Sequence, residues 1–334
     1  MKIAINGFGR IGRAVFKIIL DRKSKGESIE VVAINDLTDT QNLEYLLRYD
    51  TVYGRYDRQT SFDEKNIIVD GIKFPVFAQK DPLQLPWKDL AVDVVIESTG
   101  VFTKSEGARA HITAGAKKVI LTAPAKDDGF HTIVLGANDP AEIQSKDLIS
   151  NASCTTNNIS PLLSLINEKF GIEKSAMTTI HAYTAAQSLT DSPSPKDFRR
   201  GRAAAHNIVP SSTGAADATA KVLPVLLGKF DGVALRVPVL CGSISDLTML
   251  LKVPVTIEAV NAVISEAATV EKYKGIIAYT KEQLVSSDIL KTSYSCIVDG
   301  TLTKVIDGNL VKVLAWYDNE WGYSNRVVDL LKYC

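Results

Sequence analysis

The sequence predicts an α/β first domain with a mostly parallel sheet, followed by an α+β second domain with a mostly antiparallel one. Three observations carry this. Over residues 1–150, short apolar runs of strand length alternate with runs of helical periodicity, as repeated strand–helix–strand units do. A glycine-rich turn separates the first such strand from the first helix. After Cys154 the apolar runs lengthen and alternate in polarity, the pattern of strands with one face toward solvent. At 334 residues the chain is long enough for two cores.

Residues 2–6 read as a short apolar strand. Gly7-Phe8-Gly9-Arg10-Ile11-Gly12 follows, and then a helical run containing Ala14, Val15, Ile18 and Ile19. A G-x-G-x-x-G between strand and helix is the fingerprint of a Rossmann dinucleotide-binding domain. Gly7 permits the tight turn, Gly9 lets the backbone approach a pyrophosphate, and Gly12 lets the helix pack close to the strand. The pyrophosphate would sit over the helix N-terminus. A second strand, 30–34, ends in Asn35-Asp36. A carboxylate there accepts from both ribose hydroxyls and repels a 2′-phosphate, so Asp36 argues for NAD over NADP. Further strands are expected at 92–97, 118–122 and 132–135. Ser98-Thr99-Gly100 and Thr122-Ala123-Pro124 close two of them. Those termini are either cofactor contacts or ordinary turn chemistry.

Ser150-Asn151-Ala152-Ser153-Cys154-Thr155-Thr156-Asn157 precedes Ile159, Leu162, Leu163 and Ile166, which share one helical face. Cys154 is therefore expected near a helix N-terminus, where a thiol loses its proton more easily and becomes a nucleophile. Pro161 implies that the helix either kinks or starts later than Cys154. The other reading is a small buried core cysteine. Beyond it, strands are expected at 175–181, 233–237, 245–253, 297–298 and 311–316. Residues 183–212 form a loop rich in Ser, Pro, Ala and Arg, long enough to be functional or to lie in an interface. Residues 325–334 look helical and could pack back on the first domain.

Formal net charge is zero, which gives no drive toward nucleic acid or a membrane surface. No apolar run reaches the roughly 18 residues of a membrane span. The chain opens directly in a strand with no leader pattern. Cys154, Cys241, Cys296 and Cys334 are widely spaced, without C-x-x-C. That predicts reduced thiols in the cytoplasm and no zinc site.

A nucleophilic thiol needs a base within reach. Of His111, His131, His181 and His206, His181 is the best candidate because it ends an apolar strand. Arg199, Arg200, Arg202 and Arg236 could hold an anionic substrate, with Ser211-Ser212-Thr213-Gly214 adding donors. Arg199 to Arg202 could equally be a solvated or subunit-facing loop. Arg236, within Ala234-Leu235-Arg236-Val237-Pro238, needs a partner to justify burial.

These segments together resemble the phosphorylating glyceraldehyde-3-phosphate dehydrogenase family, end to end from Ile5-Asn6-Gly7 to Trp316-Tyr317-Asp318-Asn319-Glu320-Trp321-Gly322-Tyr323-Ser324. Ser153-Cys154-Thr155-Thr156-Asn157 is similar to that family's active-site signature, and His181-Ala182-Tyr183-Thr184 to its histidine segment. Ser212-Thr213-Gly214-Ala215-Ala216 and Leu235-Arg236-Val237-Pro238 match its phosphate-binding segments. The resemblance implies a Rossmann NAD-binding domain over 1–152, a catalytic domain over 153–318, and a helix at about 319–334 packed on the first. It implies NAD-dependent oxidation of D-glyceraldehyde 3-phosphate with inorganic phosphate to 1,3-bisphosphoglycerate, in glycolysis and gluconeogenesis. Cys154 would be the nucleophile and His181 its acid/base. Gly7, Gly9, Arg10, Ile11, Gly12, Asp36, Lys80, Thr122, Asn319 and Tyr323 would contact NAD. Ser153, Thr155, Arg200, Thr213 and Gly214 would bind inorganic phosphate, and Thr184 and Arg236 the substrate's own phosphate. The family implies a homotetramer, with 183–212 as an inter-subunit loop. Asn158 stands where many members carry a second cysteine, and Tyr53 where the family usually has histidine. The alternatives are the related erythrose-4-phosphate dehydrogenase, which uses water in place of phosphate, and a catalytically silent protein that binds NAD or RNA.

Overall fold

The computed structural model describes residues 1–195 and 197–334, so position 196 of the long loop lies outside the described residues. The described chain divides into two compact units. Unit 1 comprises Met1–Ile133, Pro140–Ala152 and Ser324–Cys334; unit 2 comprises Val134–Asp139 and Ser153–Tyr323.

Unit 1 runs β1 (Lys2–Asn6), α1 (Arg10–Ser24), β2 (Glu30–Asn35), α2 (Thr40–Arg48), β3 (Tyr49–Asp50), β4 (Gly54–Arg55), β5 (Thr60–Phe62), β6 (Asn66–Val69), β7 (Ile72–Phe77), β8 (Val94–Glu97), α3 (Ser105–Thr113), β9 (Lys118–Leu121), β10 (His131–Thr132) and β11 (Leu148–Ser150). Nine of these strands form one sheet in the order β10-β11-β9-β8-β1-β2-β7-β6-β5. From β10 to β7 every pairing is parallel. The central strands are apolar almost without a break because both faces are covered. Trp87, Val95, Val119 and Leu121 belong to the core on one of those faces. Pairing β1 between β8 and β2 sets Asn6 opposite Glu97 on one side and Asn35 on the other. Three polar residues thus stand in a row at the carboxyl ends of neighbouring strands.

Two features of unit 1 differ from the sequence reading. The strand expected at 132–135 is only the two residues of β10. The β5–β6–β7 meander is antiparallel and was not anticipated. Its hairpin turn, Asp70-Gly71, has both residues at positive φ, 51° and 79°. Asp-Gly is the favoured pair for such a turn, so the signal was present in the sequence. Within this unit Arg22 Nη1 lies 2.7 Å from Asp329 Oδ1, tying residues of the third segment to α1.

Unit 2 contains α4 (Cys154–Phe170), β12 (Ile172–Ala182), β13 (Val209–Ser212), α5 (Ala215–Val222), β14 (Phe230–Val237), β15 (Ser243–Leu251), α6 (Ile257–Ala267), β16 (Ile277–Thr280), β17 (Cys296–Asp299), β18 (Lys304–Ile306) and β19 (Leu310–Tyr317). Helix α7 (Trp321–Leu330) begins in unit 2 and ends in the last segment of unit 1. The sheet order is β13-β14-β12-β15-β19-β17-β16, with β18 on β19. Five of its pairings are antiparallel; β12–β14 and β16–β17 are parallel. Burial alternates residue by residue along β15 and β19, as a sheet with one covered face requires. The 183–212 segment is mostly irregular apart from a 3₁₀ turn at Phe198–Gly201 and β13. It exposes Leu189, Phe198 and Ile208.

Candidate active site

In unit 1 a groove of about 390 Å³ opens at the carboxyl ends of the parallel strands, with Gly7, Gly9, Asp36, Lys80, Thr99 and Phe102 among its walls. Gly7 has φ 90°, and a Cβ there would stand 2.7 Å from the Thr99 backbone nitrogen. A Cβ on Gly12 would stand 2.1 Å from the Gly7 carbonyl oxygen, so α1 reaches the strand only because that atom is missing. Gly9 caps α1, and a Cβ on it would meet no protein atom. Asp36 Oδ2 accepts from Phe8 N–H (2.7 Å) and Oδ1 from Thr38 N–H (3.0 Å), which fixes the carboxylate beside the glycine turn. Of the residues assigned to NAD from the sequence, Gly7, Gly9, Asp36 and Lys80 line this groove. Arg10 instead forks onto Asp50 (3.2 and 3.3 Å) and lies over the Tyr53 ring. Ile11 is half-buried, and Thr122 Oγ1 donates to the Glu97 carbonyl (3.1 Å).

The groove floor is a hydrogen-bonded belt that sequence reading missed. Trp87 Nε1–H can only donate, so His111 Nδ1 accepts (3.0 Å) and the ring proton sits on Nε2, which donates to Glu97 Oε2 (3.1 Å). Asn6 Nδ2 donates to the same oxygen (2.5 Å). Glu97 Oε1 accepts from the backbone N–H and the hydroxyl of Thr99 (2.9 and 2.5 Å). Asn35 Nδ2 donates to Asn6 Oδ1 (2.7 Å), and Asn35 Oδ1 accepts from Gln79 N–H (2.9 Å). His111 is thereby a structural histidine. Polar residues ending three adjacent apolar strands were the available signal.

The chemistry of unit 2 centres on the first turn of α4. Ser153 caps that helix, its Oγ accepting from Thr156 N–H (3.0 Å), and Cys154 is the first helical residue. The helix continues through Pro161 to Phe170, so it does not start later than Cys154. Cys154 Sγ lies 3.4 Å from His181 Nε2. His181 Nδ1 lies 2.7 Å from the Ala182 carbonyl and donates to it in the tautomer that carries the ring proton on Nδ1. That leaves Nε2 to accept the thiol proton. Arg236 is in register with His181 across β14–β12, and its Nη1 donates to the same carbonyl (3.1 Å) while lying 2.6 Å from Nδ1. The Tyr317 ring meets His181 edge-on at 5.9 Å, and its hydroxyl joins Thr155 Oγ1 (3.0 Å) and Thr179 Oγ1 (2.8 Å).

Burial pushes the Cys154 thiol up; the Arg236 charge and helix-turn groups at Thr155 and Cys154 pull it back without cancelling that rise. The expectation that a helix terminus alone depresses this thiol is therefore corrected. Burial, reinforced by Arg236, brings His181 down to about 3 against the raising effect of the Ala182 carbonyl. Neither a lone thiolate nor a lone imidazolium is favoured here. A proton passed from Sγ to Nε2 creates both charges together, 3.4 Å apart. Their attraction is about 5 kcal/mol at an effective dielectric of 20, which opposes the two burial penalties.

Arg236 has no carboxylate partner among the described residues. Burial lowers its affinity for its proton, and the like charge of Arg200 adds to this. Two guanidiniums that repel, one of them partly buried, make a place for an anion. Arg200 itself pairs with Asp197 (3.3 Å). Thr213 Oγ1 accepts from Ala215 N–H (3.2 Å), Gly214 caps α5, and Thr184 lies in the turn after β12. Asn319 Oδ1 accepts from the Gly242 backbone N–H (3.1 Å) and from Ser243 Oγ (2.9 Å), and Tyr323 is buried in the same unit. Asn158 Nδ2 donates to the Ser295 carbonyl (3.1 Å), so this amide serves packing between α4 and the segment before β17.

A nucleotide-type parallel sheet and a thiol–imidazole pair within one chain are the parts that a nicotinamide-dependent oxidoreductase working through a cysteine requires. Residues 1–105 match the family described as glyceraldehyde 3-phosphate dehydrogenase, NAD binding domain, and residues 153–319 match the glyceraldehyde 3-phosphate dehydrogenase C-terminal domain. The chain belongs to the glyceraldehyde 3-phosphate dehydrogenase family. It is 56% identical over 331 residues to the glyceraldehyde-3-phosphate dehydrogenase of Thermotoga maritima, covering 99% of this chain and 98% of that one. It is 52% identical to the Streptomyces coelicolor enzyme (99% and 97% covered) and 51% identical to that of Geobacillus stearothermophilus (100% and 98%).

Proposed function

We infer that this chain oxidises D-glyceraldehyde 3-phosphate with NAD and inorganic phosphate in glycolysis, through a thioester on Cys154. The observation that carries the reading is the Cys154–His181 contact beside a partly buried Arg236 that no carboxylate among the described residues neutralises. The sulfur attacks the aldehyde carbon while its proton passes to His181 Nε2, which returns it to the new oxyanion to give a thiohemiacetal. His181 then accepts the hydroxyl proton as the carbon is oxidised. Phosphate oxygen attacks the resulting thioester; the C–S bond breaks, the acyl phosphate leaves, and sulfur regains the proton held on His181. Cys154 N–H at the helix terminus stabilises oxygen charge in both tetrahedral stages.

The residues present fit NAD. The open face of Gly9 admits a pyrophosphate at the N-terminus of α1, and Asp36 stands where ribose hydroxyls would donate to it. When bound, the nicotinamide supplies the hydride acceptor. Arg236 and Thr184 would hold the substrate phosphate; Ser153, Thr155, Arg200, Thr213 and Gly214 would hold inorganic phosphate. The exposed Leu189, Phe198 and Ile208 suit a homotetramer in which the 183–212 loop is covered by another subunit. Among the described residues no helix is long and apolar enough to cross a membrane, and the reading places the enzyme in the cytoplasm.

The test follows NADH absorbance with glyceraldehyde 3-phosphate and NAD, with and without phosphate. Phosphate-dependent turnover that disappears in Cys154→Ser supports the reading. Turnover of erythrose 4-phosphate without phosphate dependence would replace it with the related dehydrogenase.

A further inference from the structure

Residues 184–187 form a turn just after the strand that carries His181. Gln187 N–H donates to the Thr184 carbonyl (2.9 Å) and closes the turn. The Gln187 side chain folds back, and its Oε1 accepts from Thr184 N–H (3.4 Å). A backbone N–H can only donate, so this end of the amide is its oxygen and the NH2 is at the other end. Nε2 is buried and has no hydrogen-bond partner among the described residues. Leaving buried N–H groups unused is costly, and a ligand that supplies an acceptor removes the cost.

The surroundings of the turn say which acceptor fits. Ala185 and Ala186 lie between Thr184 and Gln187, so these two carry the only polar side chains in it. β12 delivers the turn from a strand end where His181 is in register with Arg236 and Ala182 with Val237. Ser188 N–H donates to the Arg200 carbonyl (3.0 Å), which pins the residue after Gln187 to the segment carrying the second guanidinium. Arg236 and Arg200 are near enough to repel one another. Amide N–H groups offered beside two cations suit an anionic oxygen, and such hydrogen bonds are stronger than neutral ones.

We propose that Gln187 is a specificity-determining residue for the phosphate of the aldehyde substrate, with Nε2 donating to a phosphate oxygen that Thr184 and Arg236 also hold. The Thr184 N–H keeps the oxygen end of the amide turned away from the anion, so the donor end meets it. The proposal rests on the reading of this chain as a glyceraldehyde-3-phosphate dehydrogenase.

The experiment is steady-state kinetics of the full-length wild type, Gln187→Ala and Gln187→Glu with D-glyceraldehyde 3-phosphate and with unphosphorylated D-glyceraldehyde. NAD is saturating, and inorganic phosphate is varied in a separate series. Gln187→Ala lowers the ratio of kcat/KM for the phosphorylated over the unphosphorylated aldehyde about tenfold, the loss of one hydrogen bond to a charged group. Gln187→Glu keeps the size and the acceptor for Thr184 N–H but turns a carboxylate toward the phosphate, and lowers the ratio about 100-fold. An unchanged ratio in Gln187→Ala overturns the proposal, including the case where both substrates slow together, since a general structural role does that. A change confined to the KM for inorganic phosphate also overturns it, because the amide then serves the other anion. Absence of glyceraldehyde 3-phosphate turnover in the wild type refutes the underlying reading, and the proposal with it, before any variant is compared. If Gln187→Ala does not fold, Gln187→Met, of similar length but without N–H groups, gives the same comparison.

Discussion

Asn6 Nδ2 donates to Glu97 Oε2 over 2.5 Å at the carboxyl ends of two adjacent parallel strands. Each Glu97 oxygen accepts from two donors, Asn6 and His111 at one and Thr99 twice at the other. In Glu97→Gln an amide NH2 must face a pair of donors in either orientation. Loss of about 2–4 kcal/mol of stability is expected, because buried donors are left unsatisfied. The NAD Kd should rise about tenfold, since Thr99 and Asn6 both line the groove. Denaturant titration and calorimetry check both, and an unchanged Kd would show that the belt does not shape the groove.

Cys154 reacts through a proton held by His181 in the proposed mechanism. Alkylation by iodoacetamide at pH 7 is expected to be about 10- to 100-fold slower in His181→Gln than in wild type, with no nucleotide or substrate present. Equal rates would mean that the 3.4 Å contact does not activate the thiol.

Asp36 presents a carboxylate beside the glycine turn and also holds Phe8 N–H. Asp36→Asn keeps an acceptor for that N–H but removes the charge. The NADP-to-NAD ratio of kcat/KM is expected to rise about tenfold, through loss of repulsion toward a 2′-phosphate. A constant ratio would assign cofactor choice to other residues.

The Asp50 carboxyl is raised by burial, but Tyr53 N–H, the Arg10 charge and Val52 N–H bring it net below 3.8. A carboxyl with a lowered native value stabilises the fold above its unfolded value, and the contribution is lost as pH falls through the native one. The stability difference between wild type and Asp50→Asn should therefore be steady at neutral pH and shrink below about pH 4. Arg10 is partly exposed, so the effect is at most about 1 kcal/mol. Thermal melts of both proteins from pH 7 to pH 3 measure it.

Much of this architecture was legible because single segments declare it. The strand at residues 2–6, the glycine turn and α1 follow from apolar runs and from a turn that only glycine can make at Gly7. Cys154 and His181 were legible as chemical types at element ends. What was not legible depends on register. Nothing local says that Asn6, Glu97 and Asn35 will stand side by side, since the pairing of three strands far apart in sequence decides it. Nor does a local pattern show that Ser243 will meet both Ala182 and Asn319. The direction of the Cys154 shift was misjudged for a related reason. The helix terminus is a local feature, but the burial that outweighs it is supplied by the surrounding fold.

Unit 1 is built from three stretches of chain, with most of unit 2 inserted before the last. Arg22 is made early, and the Asp329 that neutralises it is made after residues 153–323 have been translated. On the ribosome, the first 133 residues must therefore wait with Arg22 lacking its partners from the last segment while the second unit emerges. The nucleotide-binding half of the molecule is thus the first to begin folding and the last to finish, and ribosome-bound chains stopped short of residue 324 should carry that half in an incomplete, protease-sensitive state.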